Sequence, residues 1–268
     1  MSVSPVSCRI CKGSSSYLFD GPLLKYRAHY FECLNCGYVQ TEEPFWLDEA
    51  YRETINRSDT GIVRRNERNA RRVIRTLMMI GKLRGVVVDC AGGYGLLVRM
   101  LRDRGVNALW SDRYCENLVA RGFEAGDDDK ADLITAFEVL EHFVDPLTEL
   151  SMLLDRSDFV LTTTDLIASP APPPGTWWYY APEHGQHIGF FRMQTLRWMA
   201  NVLDCHLSSD CKSLHLFSKR PIPPWRWQLF RRGSRVAELI ARCRLDSLVW
   251  PDSQKMSASG LRSGEDNP

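Results

Sequence analysis

The sequence predicts an α/β fold, a doubly wound sheet domain behind a small cysteine-bearing module. Three observations carry that expectation. "GVVVDCAGGYGLLVRMLRDRG" reads as a short buried strand, a glycine-rich turn and a helix stopped by Gly105. "VNALWSD" and "DLITAF" repeat the strand signal further along the chain. Cys8-x-x-Cys11 and Cys33-x-x-Cys36 form a pair of pairs near the N-terminus.

Composition sets the frame for these elements. The chain has 268 residues, 44% hydrophobic and 25% charged, which suits a globular protein with one large domain and a small companion. A formal net charge of +1 gives no global pull toward nucleic acid or an acidic membrane. The apolar runs are too short to span a bilayer. "MSVSPVSCRICK" has no apolar core behind a basic start, so it is not a secretory signal. The expected compartment is the cytoplasm, and nine cysteines there argue against a disulfide framework.

The first element, residues 1–44, reads as a zinc ribbon. Each Cys-x-x-Cys knuckle supplies two thiolates from one tight turn, and the intervening hairpin returns the chain to close a tetrahedral shell. Gly37 after the second pair permits the turn. Cys8, Cys11, Cys33 and Cys36 leave no open position on the metal, so its role is structural. About forty residues cannot build a core, and the metal is expected to compensate. The ribbon can also bind a substrate or partner through "LLKYRAHYF". Cys90, Cys115, Cys205, Cys211 and Cys243 are scattered and are read as small buried or partly buried apolar fillers.

Residues 42–61 form a polar, aromatic-dotted connector. Residues 62–83 read as a helix, with Ile62, Val63, Val73, Ile74, Leu77, Met78 and Ile80 apolar and a set of arginines from Arg64 to Arg75. In residues 84–105 an acid, Asp89, ends the strand, and the small residues after it let the backbone approach a ligand. The spacing is not that of the dinucleotide fingerprint G-x-G-x-x-G, and Asp89 disfavours a pyrophosphate.

"VVVDCAGGYG" resembles the first motif of class I S-adenosylmethionine-dependent methyltransferases, D-x-G-x-G-x-G, with Ala91 where the first glycine is usual. "VNALWSD" ends in Asp112 at the place of that family's ribose acid, and "DLITAFEVLEHF" is similar to its later strand and turn. The resemblance covers residues 60–165 and implies a Rossmann-like sheet with S-adenosylmethionine as cofactor. It implies that Asp89, Ala91, Gly93 and Gly95 line the amino-acid end of the cofactor, and that Asp112 holds the ribose hydroxyls. Asp127 and Asp128 fall near the adenine, Glu138 beside the sulfonium pocket, and Glu141 and His142 around that pocket.

The remaining chain divides at "SPAPPPG". The methyltransferase domain is expected over 45–220, with a lid insertion around 166–192. In the lid, Trp177, Trp178, Tyr179 and Tyr180 suit the cover of a sugar ring or planar acceptor. Glu183, His184 and His187 fit a metal site, an acid/base pair or plain loop polarity. With zinc assigned to the cysteines, the acid/base pair is preferred. Residues 193–203 read as a helix and "KSLHLFSKR" as a final strand. Residues 221–250 read as a basic amphipathic appendage, able to touch a membrane surface or a partner. Residues 251–268 read as a disordered tail.

Zinc-ribbon methyltransferases acting at carbon on deoxysugar ketones resemble this layout, with the long C-terminal domain that usually accompanies those enzymes expected to be missing or truncated here. By that resemblance His184 or His187 is the base, Glu183 its orienting partner and Tyr51 an accessory group, acting on a small-molecule or glycan-like acceptor. A second reading is methylation of RNA or protein, docked through the ribbon and the Arg64–Arg75 face. A third is a non-catalytic zinc-ribbon binding module with a degenerate methyltransferase domain.

Overall fold

Residues 5–52, 59–233 and 235–262 are described by the computed structural model. Strands β1 (Val6–Ser7), β2 (Ser14–Leu23), β3 (Tyr26–Cys33) and β4 (Val39–Thr41) open the chain, followed by the short helix α1 (Leu47–Ala50). Next come α2 (Ile62–Met79), β5 (Val86–Cys90), α3 (Leu96–Arg102), β6 (Asn107–Ser111) and β7 (Leu133–Phe137). A 3-10 turn over Leu140–His142 leads to α4 (Pro146–Arg156) and β8 (Phe159–Thr163). A second 3-10 turn, Trp178–Tyr180, precedes β9 (Gly189–Phe190), α5 (Met193–Val202), β10 (His206–Ser209) and β11 (Leu214–Ser218). The chain then runs through α6 (Pro224–Arg232), α7 (Arg235–Arg244) and α8 (Val249–Arg262).

Two sheets result. The first has the order β1-β2-β3-β4-β9, and the second β10-β11-β8-β7-β5-β6. In the second, β5 pairs in parallel with both β6 and β7, while β8, β11 and β10 are joined by antiparallel pairings. Strands β6 and β7 flank β5, so the strand order reverses there. The α/β expectation is met, with a mixed rather than purely parallel sheet.

Local chemistry accounts for the element ends. Helix α2 stops short of residue 83 because Gly81 takes φ +74° and Lys82 N–H returns to the Leu77 carbonyl at 2.7 Å, a left-handed helix close. Helix α4 begins on Asp145, whose carboxylate accepts from Thr148 N–H at 3.2 Å, with Pro146 in the first helical position.

The chain divides into two compact units. One unit is Met1–Ser58 with Ala136–Pro223, and the other is Asp59–Thr135 with Pro224–Pro268. In the first unit, the N-terminal strands do not stand alone as a metal-held module. Leu23, Ala28, Tyr30, Val39 and Trp46 share one buried cluster with Ile167, Tyr179, Tyr180, Ile188 and Phe190. Strand β9 completes their sheet by pairing Val39 with Phe190 and Gln40 with Gly189. A side chain at Gly189 would meet the Tyr38 hydroxyl at 1.7 Å, so only glycine fits there. Arg9 ties the same region, donating to the carbonyls of Thr41, Glu42 and Ile188.

In the second unit, the 251–268 segment expected as a disordered tail instead carries helix α8 to Arg262, and residues 263–268 lie outside the described residues. The anchor is Asp252, whose carboxylate takes Arg102 Nη2 at 2.7 Å, Arg102 Nε at 2.8 Å and Arg99 Nη2 at 2.7 Å. Arg102 also lies 3.7 Å from the Phe123 ring centroid. Trp227 and Phe230 of α6 are buried, while Trp225 and Leu229 are exposed. Cys211 and Cys243, read as buried or partly buried fillers, are exposed, whereas Cys115 is buried. Among the described residues, no helix is long and apolar enough to cross a membrane.

Candidate functional site

The glycine loop belongs to the second unit. Asp89 closes β5 almost fully buried and accepts a 2.6 Å hydrogen bond from Thr135 Oγ1 on β7. Burial pushes its pKa up to about 7, the nearby Asp112 charge adds to this, and the Thr135 bond works against it. Ala91 holds φ +53°, a left-handed conformation that costs an L-residue roughly 1–2 kcal/mol. A glycine would hold it without that cost, which is the physical content of the departure from the motif. Gly95, at φ +87°, leads into α3, and a side chain there would meet Asn117 Oδ1 at 2.7 Å.

Asp112 follows β6 and organises the same loop. Its Oδ2 accepts from Gly93 N–H at 2.9 Å, and its Oδ1 from Tyr114 N–H at 2.8 Å and Cys115 N–H at 3.0 Å. Trp110 Nε1–H donates to the Gly93 carbonyl at 2.7 Å. Gly93 is thereby gripped at both backbone polar groups. These bonds leave Asp112 about one lone-pair site, on Oδ2, for a further donor. Asp127 and Asp128 are exposed on a turn closed by Gly126 N–H and the Asp129 carboxylate at 2.8 Å.

The cysteines lie in the first unit at the turns between β1 and β2 and after β3. Cys8 Sγ and Cys36 Sγ are 3.6 Å apart, Cys11 Sγ and Cys33 Sγ 3.3 Å, and all four sulfurs lie within 4.8 Å of one another. Tetrahedral zinc with bonds of about 2.3 Å needs sulfurs about 3.8 Å apart, so the set fits such an ion with small adjustments. Backbone N–H groups of Cys11, Gly13, Asn35 and Cys36 point at the sulfurs, as a thiolate-rich shell requires.

The first unit also gathers a buried acid–imidazole cluster. Glu138 follows β7 with φ +55°, held by Thr163, whose carbonyl and hydroxyl both accept from Glu138 N–H. Glu141 is completely buried, and its backbone carbonyl accepts from Ile188 N–H at 2.9 Å. That bond brings the Leu140–His142 turn against the loop carrying His187. The Tyr179 hydroxyl donates to Glu141 Oε1 at 2.5 Å and lies 3.2 Å from Glu138 Oε2. His187 Nδ1–H donates to the Tyr179 carbonyl at 2.6 Å, which leaves Nε2 unprotonated and 4.0 Å from Glu141 Oε1. Ring centroids place His187 5.0 Å from His142 and 4.8 Å from His184.

Burial dominates the electrostatics of this cluster. It pushes Glu141 up to about 8, helped by the Glu138 charge and opposed by the Tyr179 bond. It pushes His142 down to about 3, with His184 adding to the effect. His187 falls well below the ordinary imidazole value through burial and the neighbouring His142 and His184. The site thus holds neutral imidazoles beside a carboxyl group that resists ionisation.

The lid residues separate into two roles. Glu183, expected to orient His184, is exposed, and the acid that faces the imidazoles is Glu141. His184 Nδ1 accepts from Gln186 N–H at 3.1 Å. Tyr51 is half-buried, its ring 6.4 Å from His142. Tyr179 and Tyr180 are core residues, Trp177 packs on them and on Phe190, and Trp178 alone of the four is open to solvent, at 72%. Thr135 and the hydroxyl of Tyr179 were not singled out from sequence. The signal that could have found Tyr179 is the pair of acids in "EVLEH", which needs a buried donor.

The model of a family described as "Methyltransferase domain" matches residues 62–207, more than half of the chain. No curated protein matches the chain significantly. Among solved structures, the chain is similar to an O-methyltransferase family protein from Burkholderia thailandensis, at 14% identity over 65% of this chain and 62% of that one, TM-score 0.49. It is also similar to an O-methyltransferase family 2 protein from Planctomyces limnophilus DSM 3776 in complex with apigenin, at 17% identity over 51% of each chain, TM-score 0.39. A third is human N-acetylserotonin methyltransferase in complex with SAM, at 14% identity over 66% of each chain, TM-score 0.40. The match spans less than two thirds of the length of each of these proteins.

Proposed function

The chain belongs to the methyltransferase-domain family, and from that membership we propose that it transfers the methyl group of S-adenosylmethionine to an oxygen or carbon of a small-molecule or glycan-like acceptor. The observation that carries the reading is the loop after β5, where Asp112 grips Gly93 beside the buried Asp89. In this reading Asp89, Ala91, Gly93 and Gly95 take the amino-acid end of the cofactor, and Asp112 the ribose.

Methyl transfer is a direct displacement: the acceptor atom bonds to the methyl carbon as the carbon–sulfur bond breaks, and the sulfonium becomes a neutral thioether. The protein must align the reactants, exclude water and deal with the acceptor's proton. Within the first unit, His184 and His187 are the candidates to take a proton, with Glu141 Oε1 4.0 Å from His187 Nε2 and Tyr51 at the edge of the cluster. Glu183, being exposed, has a lesser part than Glu141. The four thiolates bind zinc as a structural ion that steadies the sheet of β1–β4.

The alternative of RNA docking is weakened by local pairing along α2. Arg65 pairs with Asp59, Arg71 with Glu67 at 2.6 Å, and Arg72 with Asn69 at 3.0 Å, which leaves a patched rather than open basic stripe. Titration calorimetry with S-adenosylmethionine tests the proposal. Wild-type protein should bind it, and Asp112→Ala should weaken binding at least tenfold. His184→Ala and His187→Ala should keep cofactor binding while at least one loses a hundredfold or more in turnover. A wild-type protein that does not bind the cofactor ends the enzymatic reading and favours the non-catalytic one.

A further inference from the structure

The acid–imidazole cluster contains more unsatisfied ligand atoms than an acid/base pair needs. Among the described residues, Glu141 Oε2 and His142 Nε2 are buried and have no hydrogen-bond partner. Buried polar atoms of this kind are rare, and each calls for a physical reason. The Tyr179 hydroxyl carries one proton and faces both Glu138 Oε2 and Glu141 Oε1, so it cannot satisfy two carboxylates. His187 is held through Nδ1–H on a backbone carbonyl, the second contact that fixes a metal-ligating imidazole with its Nε2 lone pair free. One ligand atom each from Glu141, His142 and His187 lies within 4.8 Å of the others.

We propose that Glu141, His142 and His187 bind a divalent first-row transition-metal cation, with Glu138 across the Tyr179 hydroxyl from Glu141. This site is separate from the four cysteines and differs in chemistry. The cysteines offer soft thiolates, whereas the second set offers two imidazoles and hard oxygens, a mixture suited to manganese, iron, cobalt or zinc. Bonds of about 2.0–2.2 Å require ligand atoms roughly 3.0–3.4 Å apart, so the side chains close on the ion by modest rotations. The two orphaned atoms become ligands, and the buried carboxylate gains a counter-charge. The use of the ion rests on the methyl-transfer reading, where it would act as a Lewis acid on an acceptor oxygen. Its existence does not depend on that reading.

The test is metal counting on the full chain. Protein stripped with a chelator is reloaded with cobalt(II) and followed by absorption, with total metal measured by mass spectrometry after dialysis. Two equivalents are expected, one giving an intense sulfur-to-cobalt charge-transfer band and one giving weak d–d absorption without it. Glu141→Gln and His187→Asn should each fall to one equivalent while keeping the charge-transfer band. A variant that loses that band has lost the fold of its unit, and His142→Asn then takes its place. The proposal is overturned if wild type saturates at one equivalent, or if the second equivalent persists undiminished in a folded His142→Asn/His187→Asn variant. Cofactor binding measured on the same samples reports on methyl transfer, and its loss with two metals still bound would sink that reading alone.

Discussion

Replacing Asp252 with alanine removes the one acid that two arginines of α3 share. The Arg102 and Asp252 side chains are 8% and 7% exposed, so the pair is desolvated, and the change strands a buried guanidinium. Breaking a buried pair from one side costs about 3–5 kcal/mol. Arg102 keeps its bonds to Asn107 Oδ1 at 3.1 Å and the Ala108 carbonyl at 3.0 Å, and its place against Phe123, so the lower end applies. A loss of about 3 kcal/mol corresponds to a fall of roughly 6–12 °C in Tm for a protein of this size. Arg99→Ala, whose side chain is 25% exposed, is the control and should cost about 1 kcal/mol or less. The assay is thermal melting followed by circular dichroism. Burial raises the Asp252 pKa and the bonds and charges of Arg102 and Arg99 lower it, with a net shift downward. A carboxylate held low contributes stability above its unfolded pKa of about 3.9 and loses it as the pH falls through the folded value. The gap between wild type and variant should therefore be constant from pH 5 upward and close in acid. A Tm within 2 °C of wild type at pH 7, or an equal loss in Arg99→Ala, would refute the view that this ion pair holds α8.

Other outcomes follow from the loop and the cysteines. Ala91→Gly relieves a left-handed alanine, and after the entropy cost of glycine it should raise stability by no more than about 1 kcal/mol while cofactor affinity is kept or improved, as melting curves and calorimetry will register. Asp89, with its folded pKa near 7 against about 3.9 unfolded, contributes stability in full below pH 4 and loses it as the pH rises toward 7. Asp89→Asn should abolish that part of the decline, and urea midpoints at pH 4.5 and pH 7 compare the two proteins. Cys8→Ser opens the thiolate set, so bound zinc should be lost together with amide-exchange protection in β2 and β3. Unchanged protection in that variant would mean the shared core alone suffices.

The parts of the fold legible in sequence were those governed by neighbours along the chain. The strand of Val86–Cys90, its glycine turn and the helix of Leu96–Arg102 each depend on residues a few positions away. The thiolate set was equally visible, because each knuckle is local and only the hairpin between them had to be inferred. The acid–imidazole cluster was hidden because Glu141 and His187 meet through a backbone bond between Ile188 and Glu141, which no local pattern encodes. Glu183, adjacent to His184 in sequence, drew attention that belonged to Glu141. Helix α8 was missed because "SQKMSASGLR" is polar and serine-rich, and its anchor is an ion pair to Arg102, far away in the chain. About forty residues alone are too few to build a core, yet Tyr30 and Val39 share one with Tyr179 and Phe190, which only the fold brings together.

The two residues of β9 also set an order of events during synthesis. Val39 leaves the ribosome long before Phe190, its partner across the sheet. At 5–20 residues per second the interval is roughly 8–30 s. For that time the edge of β4 is an open template, and the apolar faces of β2 and β3 lack the aromatic residues that later cover them. All four cysteines beside β1–β4 are already made during that interval. Strands β1–β4 are thus made well before β9 and completed only when it arrives.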